Sequence, residues 1–137
     1  MIKRIIFATL AIILFFNTPC FALTALIDAQ TRPQYVAYNY CNKIFKMDSQ
    51  RLFYLTLASI SANRFTIDEI QSRSGYVLFT VKDMHFLASV INVDSKRSML
   101  KITPTDSNYY FPIGIVQNCF KYIELNQYTP VERPLVQ

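Results

Sequence analysis

At 137 residues the chain is long enough for one domain and too short for two. Apolar residues make up 52% of it and aromatic residues 15%, enough to bury a core, which excludes a chain disordered by composition. The formal charge of +5 suggests a polyanion partner until Lys3 and Arg4 are set aside; the other cations are scattered, so no nucleic-acid surface is expected.

The first 22 residues have the three parts of an export signal. Lys3 and Arg4 form a positive start, and Ile5 to Phe16 is apolar throughout except for Thr9. Asn17-Thr18-Pro19 then breaks the helix, and Cys20 and Ala22 put small residues at the −3 and −1 positions of a cut after Ala22. The apolar run is shorter than the roughly 20 residues a spanning helix needs. Cleavage after Ala22 would leave 115 residues carrying a formal charge of +3. The competing reading is an uncleaved anchor over residues 5–27, because Leu23-Thr24-Ala25-Leu26-Ile27 resumes the apolar character. Membrane contact is expected only through that segment. Cys20 does not make a lipidation site, since Thr18 and Pro19 occupy positions where a lipobox needs smaller residues. The expectation is an exported protein, periplasmic or secreted.

Residues 23–47 are a leader followed by a segment of undecided structure. Tyr35, Tyr38, Cys41 and Phe45 follow helical spacing, yet the stretch is rich in strand formers, and periodicity alone does not separate the two. Its three tyrosines are candidates to cover a sheet face. Asp48-Ser49 is a helix N-cap pair, and the helix runs to about Ala62 with Phe53, Leu57 and Ile60 in one stripe widened by Leu52 and Leu55. Asn63 suits its end.

Four strands follow, at residues 65–70, 76–81, 85–93 and 98–103, all rich in β-branched and aromatic residues. The breaks between them are of hairpin length, with Gly75 free to take positive φ, so the strands are antiparallel neighbours. In the two central strands both faces are largely apolar. Val77, Phe79 and Val81 oppose Tyr76, Leu78 and Thr80, while Leu87, Ile91 and Val93 oppose Phe86, Ala88 and Val90. A sheet with one wet face alternates more cleanly, so something is expected to cover the second face. Past Pro104 and a polar loop, Tyr109-Tyr110-Phe111 puts three aromatics in a row, of which at least one must face outward. Pro112 fits the first turn of a second helix, marked by Ile113, Val116, Phe120 and Ile123, with Gly114 a weak point in it. Residues 127–137 are a tail.

The fold class expected is α+β in two layers: a four-stranded antiparallel meander with one helix before it and one after it, both packed on one face, over residues 48–126. Cys41 and Cys119 flank the meander and either form a disulfide across it or stay as separate buried thiols.

Catalytic chemistry is thinly supplied. His85 is the single histidine, and no Ser or Cys stands in a nucleophile motif beside it. Zinc needs three or four ligands, and one histidine with two distant cysteines does not supply them. Asp68 and Glu69 are adjacent in a strand, which would turn them to opposite faces. No cofactor is implied. The expected role is a non-enzymatic interaction domain of the cell envelope, its partner an envelope protein or a second copy. The surface would comprise Tyr76, Leu78, Phe86 and Val90 on the second sheet face, or the edge strand Ser98–Thr103, with Tyr109, Tyr110 and Phe111 beside it. The alternatives are a carrier of a small apolar ligand, held between helices and sheet, and a hydrolase built on His85.

Overall fold

The computed structural model describes residues 30–130. The export signal, the anchor alternative and most of the C-terminal tail lie outside the described residues. No helix among the described residues is long and apolar enough to cross a membrane.

The architecture is α+β. Helix α1 spans Ser49–Ala62 and helix α2 spans Gly114–Asn126, before and after a mostly antiparallel set of strands. The main sheet has five strands: β2 (Asn42–Phe45), β3 (Thr66–Gln71), β4 (Tyr76–Val81), β5 (Met84–Asn92) and β6 (Ser98–Pro104), in the spatial order β2-β6-β5-β4-β3. A separate ribbon pairs β1 (Pro33–Tyr35) with β7 (Tyr110–Pro112). The four meander strands are thus joined by a fifth that the sequence left undecided. The spacing of Tyr35, Tyr38, Cys41 and Phe45 is not a helix. It is a strand, a 3-10 turn over Tyr38–Cys41 with its period of three, and a second strand in succession. Folded structure therefore begins upstream of residue 48. Ser98–Thr103, expected at an edge, is interior instead, because Asn42–Phe45 pairs along its outer side. The true edges are β2 and β3.

Helix α1 starts where Asp48 can cap it: Asp48 Oδ1 accepts from the Arg51 N–H at 2.8 Å. It stops at Asn63, whose backbone and side-chain N–H groups both donate to the Ser59 carbonyl. Its inner face buries Leu52, Phe53, Leu55 and Ile60. The two hydroxyls caught there, Thr56 and Ser59, donate back to carbonyls of their own helix at 2.7 and 2.8 Å, so their burial leaves no donor orphaned. Arg51 reaches across to the Gln127 and Thr129 carbonyls, which ties the end of α2 to the start of α1. Pro112 lies in β7 rather than in the first turn of α2.

Both helices lie on one face of the sheet. Val77, Phe79, Phe86, Ala88, Leu100 and Ile102 supply that face and share one core with Val116, Cys119 and Ile123 of α2. Phe86 is central: its ring stacks on Phe79 at 5.5 Å and meets Phe111 edge-on at 5.2 Å. Each such fully buried ring contributes about 1.5–3 kcal/mol through the apolar area it removes from water.

The chain's two glycines have separate structural reasons. Gly75 adopts φ +71° in the β3–β4 turn, where a side chain would also press the Val90 carbonyl at 3.1 Å. At Gly114 an added Cβ would lie 2.6 Å from the Gln30 carbonyl oxygen. The residue that weakens α2 is thus the one that lets the N-terminal segment run across the helix start.

Cys41 and Cys119 are free buried thiols, not a disulfide. Cys41 ends the 3-10 turn with its Sγ toward the Ala37 carbonyl, whereas Cys119 faces Ser59 of α1. Burial raises both thiol pKa values, that of Cys119 to about 11, with the Ser59 hydroxyl pulling slightly the other way.

Candidate interaction surface

The β1–β7 ribbon and the 3-10 turn between β1 and β2 bring together aromatic residues that are far apart in sequence. Antiparallel register sets Tyr35 opposite Tyr110, and their rings approach to 4.9 Å between centroids. Tyr38 meets Tyr109 edge-on at 6.3 Å. The Lys101 ammonium sits 5.1 Å above the Tyr38 ring, and the adjoining Tyr38 hydroxyl holds that ammonium above the usual lysine range. These rings are open to solvent: Tyr35 is 88% exposed, Tyr40 58%, Tyr38 50% and Tyr110 48%. Successive residues of a strand face opposite ways, so in the Tyr109-Tyr110-Phe111 triplet Tyr110 faces out and Phe111 is buried under the ribbon. Tyr109 is half-buried, and desolvation, with the nearby Cys41 thiol second, raises its phenol pKa.

The face of the sheet away from the helices is met at its β2–β6 corner by the 3-10 turn, where Asn42 Nδ2 donates to the Tyr38 carbonyl and the Lys101 ammonium sits over the Tyr38 ring. Its residues follow from the ladder register. One row across the sheet reads Asn42, Lys101, Ser89, Tyr76, Gln71. The next reads Thr103, Leu87, Leu78, Glu69, and on the other side of the first lie Ile44, Met99 and Ile91. Tyr76 and Leu78 are on this outer face, half-exposed. Phe86 and Val90, expected beside them, are not. Phe86 pairs with Phe79 and Val90 with Leu100, so both face the helices, and Phe86 is fully buried. The reason is register: β4 and β5 pair Tyr76 with Ser89 and Leu78 with Leu87, so it is the odd-numbered side of β5 that accompanies Tyr76 and Leu78. The outer face consequently carries Ser89, Lys101 and several threonines between its apolar residues, and is less greasy than two uniformly apolar strands imply.

Asp68 and Glu69 also depart from expectation. A bulge between Ile67 and Glu69 breaks the alternation and turns both carboxylates outward. Glu69 accepts from Gln71 Nε2 at 2.9 Å and from the Tyr76 hydroxyl at 3.4 Å. Asp68 accepts from the Thr80 hydroxyl at 2.5 Å, and His85 Nδ1 lies 2.9 Å from that same hydroxyl. Thr80 gives its single proton to Asp68, so toward His85 it accepts from an Nδ1–H. The order is carboxylate, hydroxyl, imidazole, whereas nucleophilic activation requires the imidazole to sit between the other two. Among the described residues no group of three or more His, Cys, Asp or Glu is placed to hold a metal ion.

An apolar recess of about 370 Å³ lies at the start of α2, lined by Phe65, Val81, Met84, Pro112 and Ile115 together with Gln30 and Thr31. Tyr35, Tyr38, Tyr40 and Lys101 were not singled out as one surface from the sequence. The available signal was three tyrosines within six residues just past Pro33.

No family model matches the chain, and no curated protein or solved structure matches it either.

Proposed function

We propose that this protein is a non-enzymatic interaction domain of the cell envelope, delivered by its N-terminal signal, and that the tyrosine ribbon is where it engages an envelope protein. The observation that carries the reading is the concentration of four exposed tyrosines with a cation on neighbouring elements. Tyrosine suits such a surface: a large flat ring contributes contact area at a low cost in side-chain entropy, and its hydroxyl stays hydrogen-bonded in water or in a complex. Monomeric proteins rarely leave a contiguous aromatic patch bare without a use for it. The two-stranded ribbon restricts the backbone, so little ordering remains to oppose binding.

The test is site-specific photo-crosslinking in the producing cell. A photoreactive phenylalanine at Tyr35 or Tyr110 is expected to give one discrete heavier species in the envelope fraction, and the same probe at Lys121, exposed on α2, none. Equal, diffuse labelling at all three positions refutes the reading. The mass of the recovered chain also tests export, with the expected N-terminus at Leu23.

The recess beside α2 favours a second reading, a carrier of a small apolar ligand, since its volume lies at the lower end of ligand-binding pockets. That reading expects an apolar molecule to accompany the protein in native mass spectrometry, and Ile115→Phe to expel it. A ligand-free protein at every purification stage refutes it.

A further inference from the structure

The outer face of the sheet is divided by charge along its central strand. Strand β5 is the middle one of five. On one side of it, β6 and β2 contain Lys101 and Lys43 and no acid; on the other, β4 and β3 contain Asp68 and Glu69 and no cation. Lys43 pairs with Leu100 and so faces the helices, where Glu124 of α2 holds it; among the strands described, Lys101 is the cation of the outer face. Glu69 stands in the neighbouring row, opposite Leu78, but its carboxylate accepts from Gln71 and Tyr76, which share the row of Lys101. Apolar side chains flank that row on both sides: Leu78 and Leu87 below it, Ile44, Met99 and Ile91 above it. Ile44 and Ile91 are 51% and 41% exposed.

A surface with this pattern is complementary to itself under one symmetry operation. When two such faces stack with a two-fold axis running parallel to β5, the β6 half of each copy lies over the β4 half of the other. Each residue of β5 then meets its own counterpart. Lys101 of one copy comes over the Tyr76 position of its partner, beside the Glu69 carboxylate that accepts from the Tyr76 hydroxyl, twice, while Leu87 and Ile91 meet their equivalents on the axis. A two-fold axis running across the strands instead would stack cationic half on cationic half. Sheets that pack face to face keep their strands within about 30° of parallel, which the first axis satisfies. We propose that the partner of this outer face is a second copy of the same chain, forming an isologous dimer with the two sheets inside and the helices outside.

The area suits a reversible association. Five strands about 4.8 Å apart, with about six residues each at about 3.3 Å, give a footprint of roughly 480 Å² per copy. About 1,000 Å² in total is the lower bound for a specific interface, so the dimer is expected to dissociate on dilution. The proposal shares Lys101 with the tyrosine ribbon, whose Tyr38 ring lies against that ammonium at the rim, but does not require the ribbon to bind an envelope protein.

Charge exchange tests it. Sedimentation of the purified full chain over a concentration series is expected to show twice the monomer mass at high concentration. Lys101→Glu and Glu69→Lys should each weaken dimerisation at least tenfold, since each sets like charges opposite one another. The double variant Lys101→Glu/Glu69→Lys should recover most of the loss, because the exchanged pairs attract again across the two-fold axis. If either single variant misfolds by circular dichroism, a second measurement applies: Leu87→Cys is expected to link to its own counterpart through a short bis-maleimide, and Thr129→Cys, away from this face, is not. A chain that stays monomeric at every concentration overturns the proposal, whether the face is bare or covered by the chain's own termini. So does a dimer indifferent to all three charge variants. Tyr35→Ser should leave the mass unchanged, so failure here and failure of the ribbon reading are separable.

Discussion

Phe86 and Leu87 are neighbours in sequence, both apolar, and the fold assigns them opposite fates. Replacing each in turn with alanine tests the register of the whole sheet. Phe86 is fully buried and touches two other rings. Truncating it removes the transfer free energy of a ring and leaves a cavity that packed neighbours only partly fill, a cost of about 3–5 kcal/mol. Leu87, on the outer face, is half-exposed. Alanine there forfeits only the fraction already shielded, about 1 kcal/mol. In urea titrations, with a slope of about 2 kcal/mol per molar, Phe86→Ala should move the midpoint down by about 2 M and Leu87→Ala by about 0.5 M. A domain whose whole stability is about 5–15 kcal/mol will survive the second change and be severely weakened by the first. The measurement is made at the lowest concentration the signal allows, so that self-association does not enter. If Leu87→Ala costs as much as Phe86→Ala, the ladder is slipped by one residue and the description of both faces fails.

Alkaline titration should find Cys119. Its thiol pKa rises from 9.0 in the unfolded chain to about 11 in the fold, so the folded state holds the proton more tightly. The resulting stability, of order 2–3 kcal/mol, is fully present below pH 9 and is lost as pH rises from about 9 to about 11. Cys119→Ala should flatten that part of the stability curve, and an unchanged slope would contradict the burial. Ser98 is buried, and its hydroxyl has no hydrogen-bond partner among the described residues. Ser98→Ala should therefore raise stability by about 1 kcal/mol in the same urea assay, and a loss of that size would reveal a partner.

How much of this was legible in advance differs from element to element. Helix α1 was legible because all its signals agree: Asp48 caps it, the apolar stripe has one period, and Asn63 ends it. The four meander strands were legible for the same reason, with Gly75 marking a turn that only positive φ can make. Residues 35–47 were not, because strand, 3-10 turn and strand laid end to end imitate a helical period. The bulge at Asp68 was hidden too, since one extra residue in a strand leaves no compositional mark and yet turns a carboxylate to the other face.

Local chemistry in the chain thus determined helix α1, the body of α2 and the four meander strands, and that the helices need a sheet to cover them. Tertiary structure alone decided which side of each strand they cover, that Asn42–Phe45 occupies the edge, and that Tyr35, Tyr38, Tyr110 and Lys101 share one surface. The physical reason is that side-chain alternation is a property of a single strand, whereas register is a relation between strands. A strand with two apolar faces supports either orientation, and only pairing with its neighbours and packing under both helices selects between them.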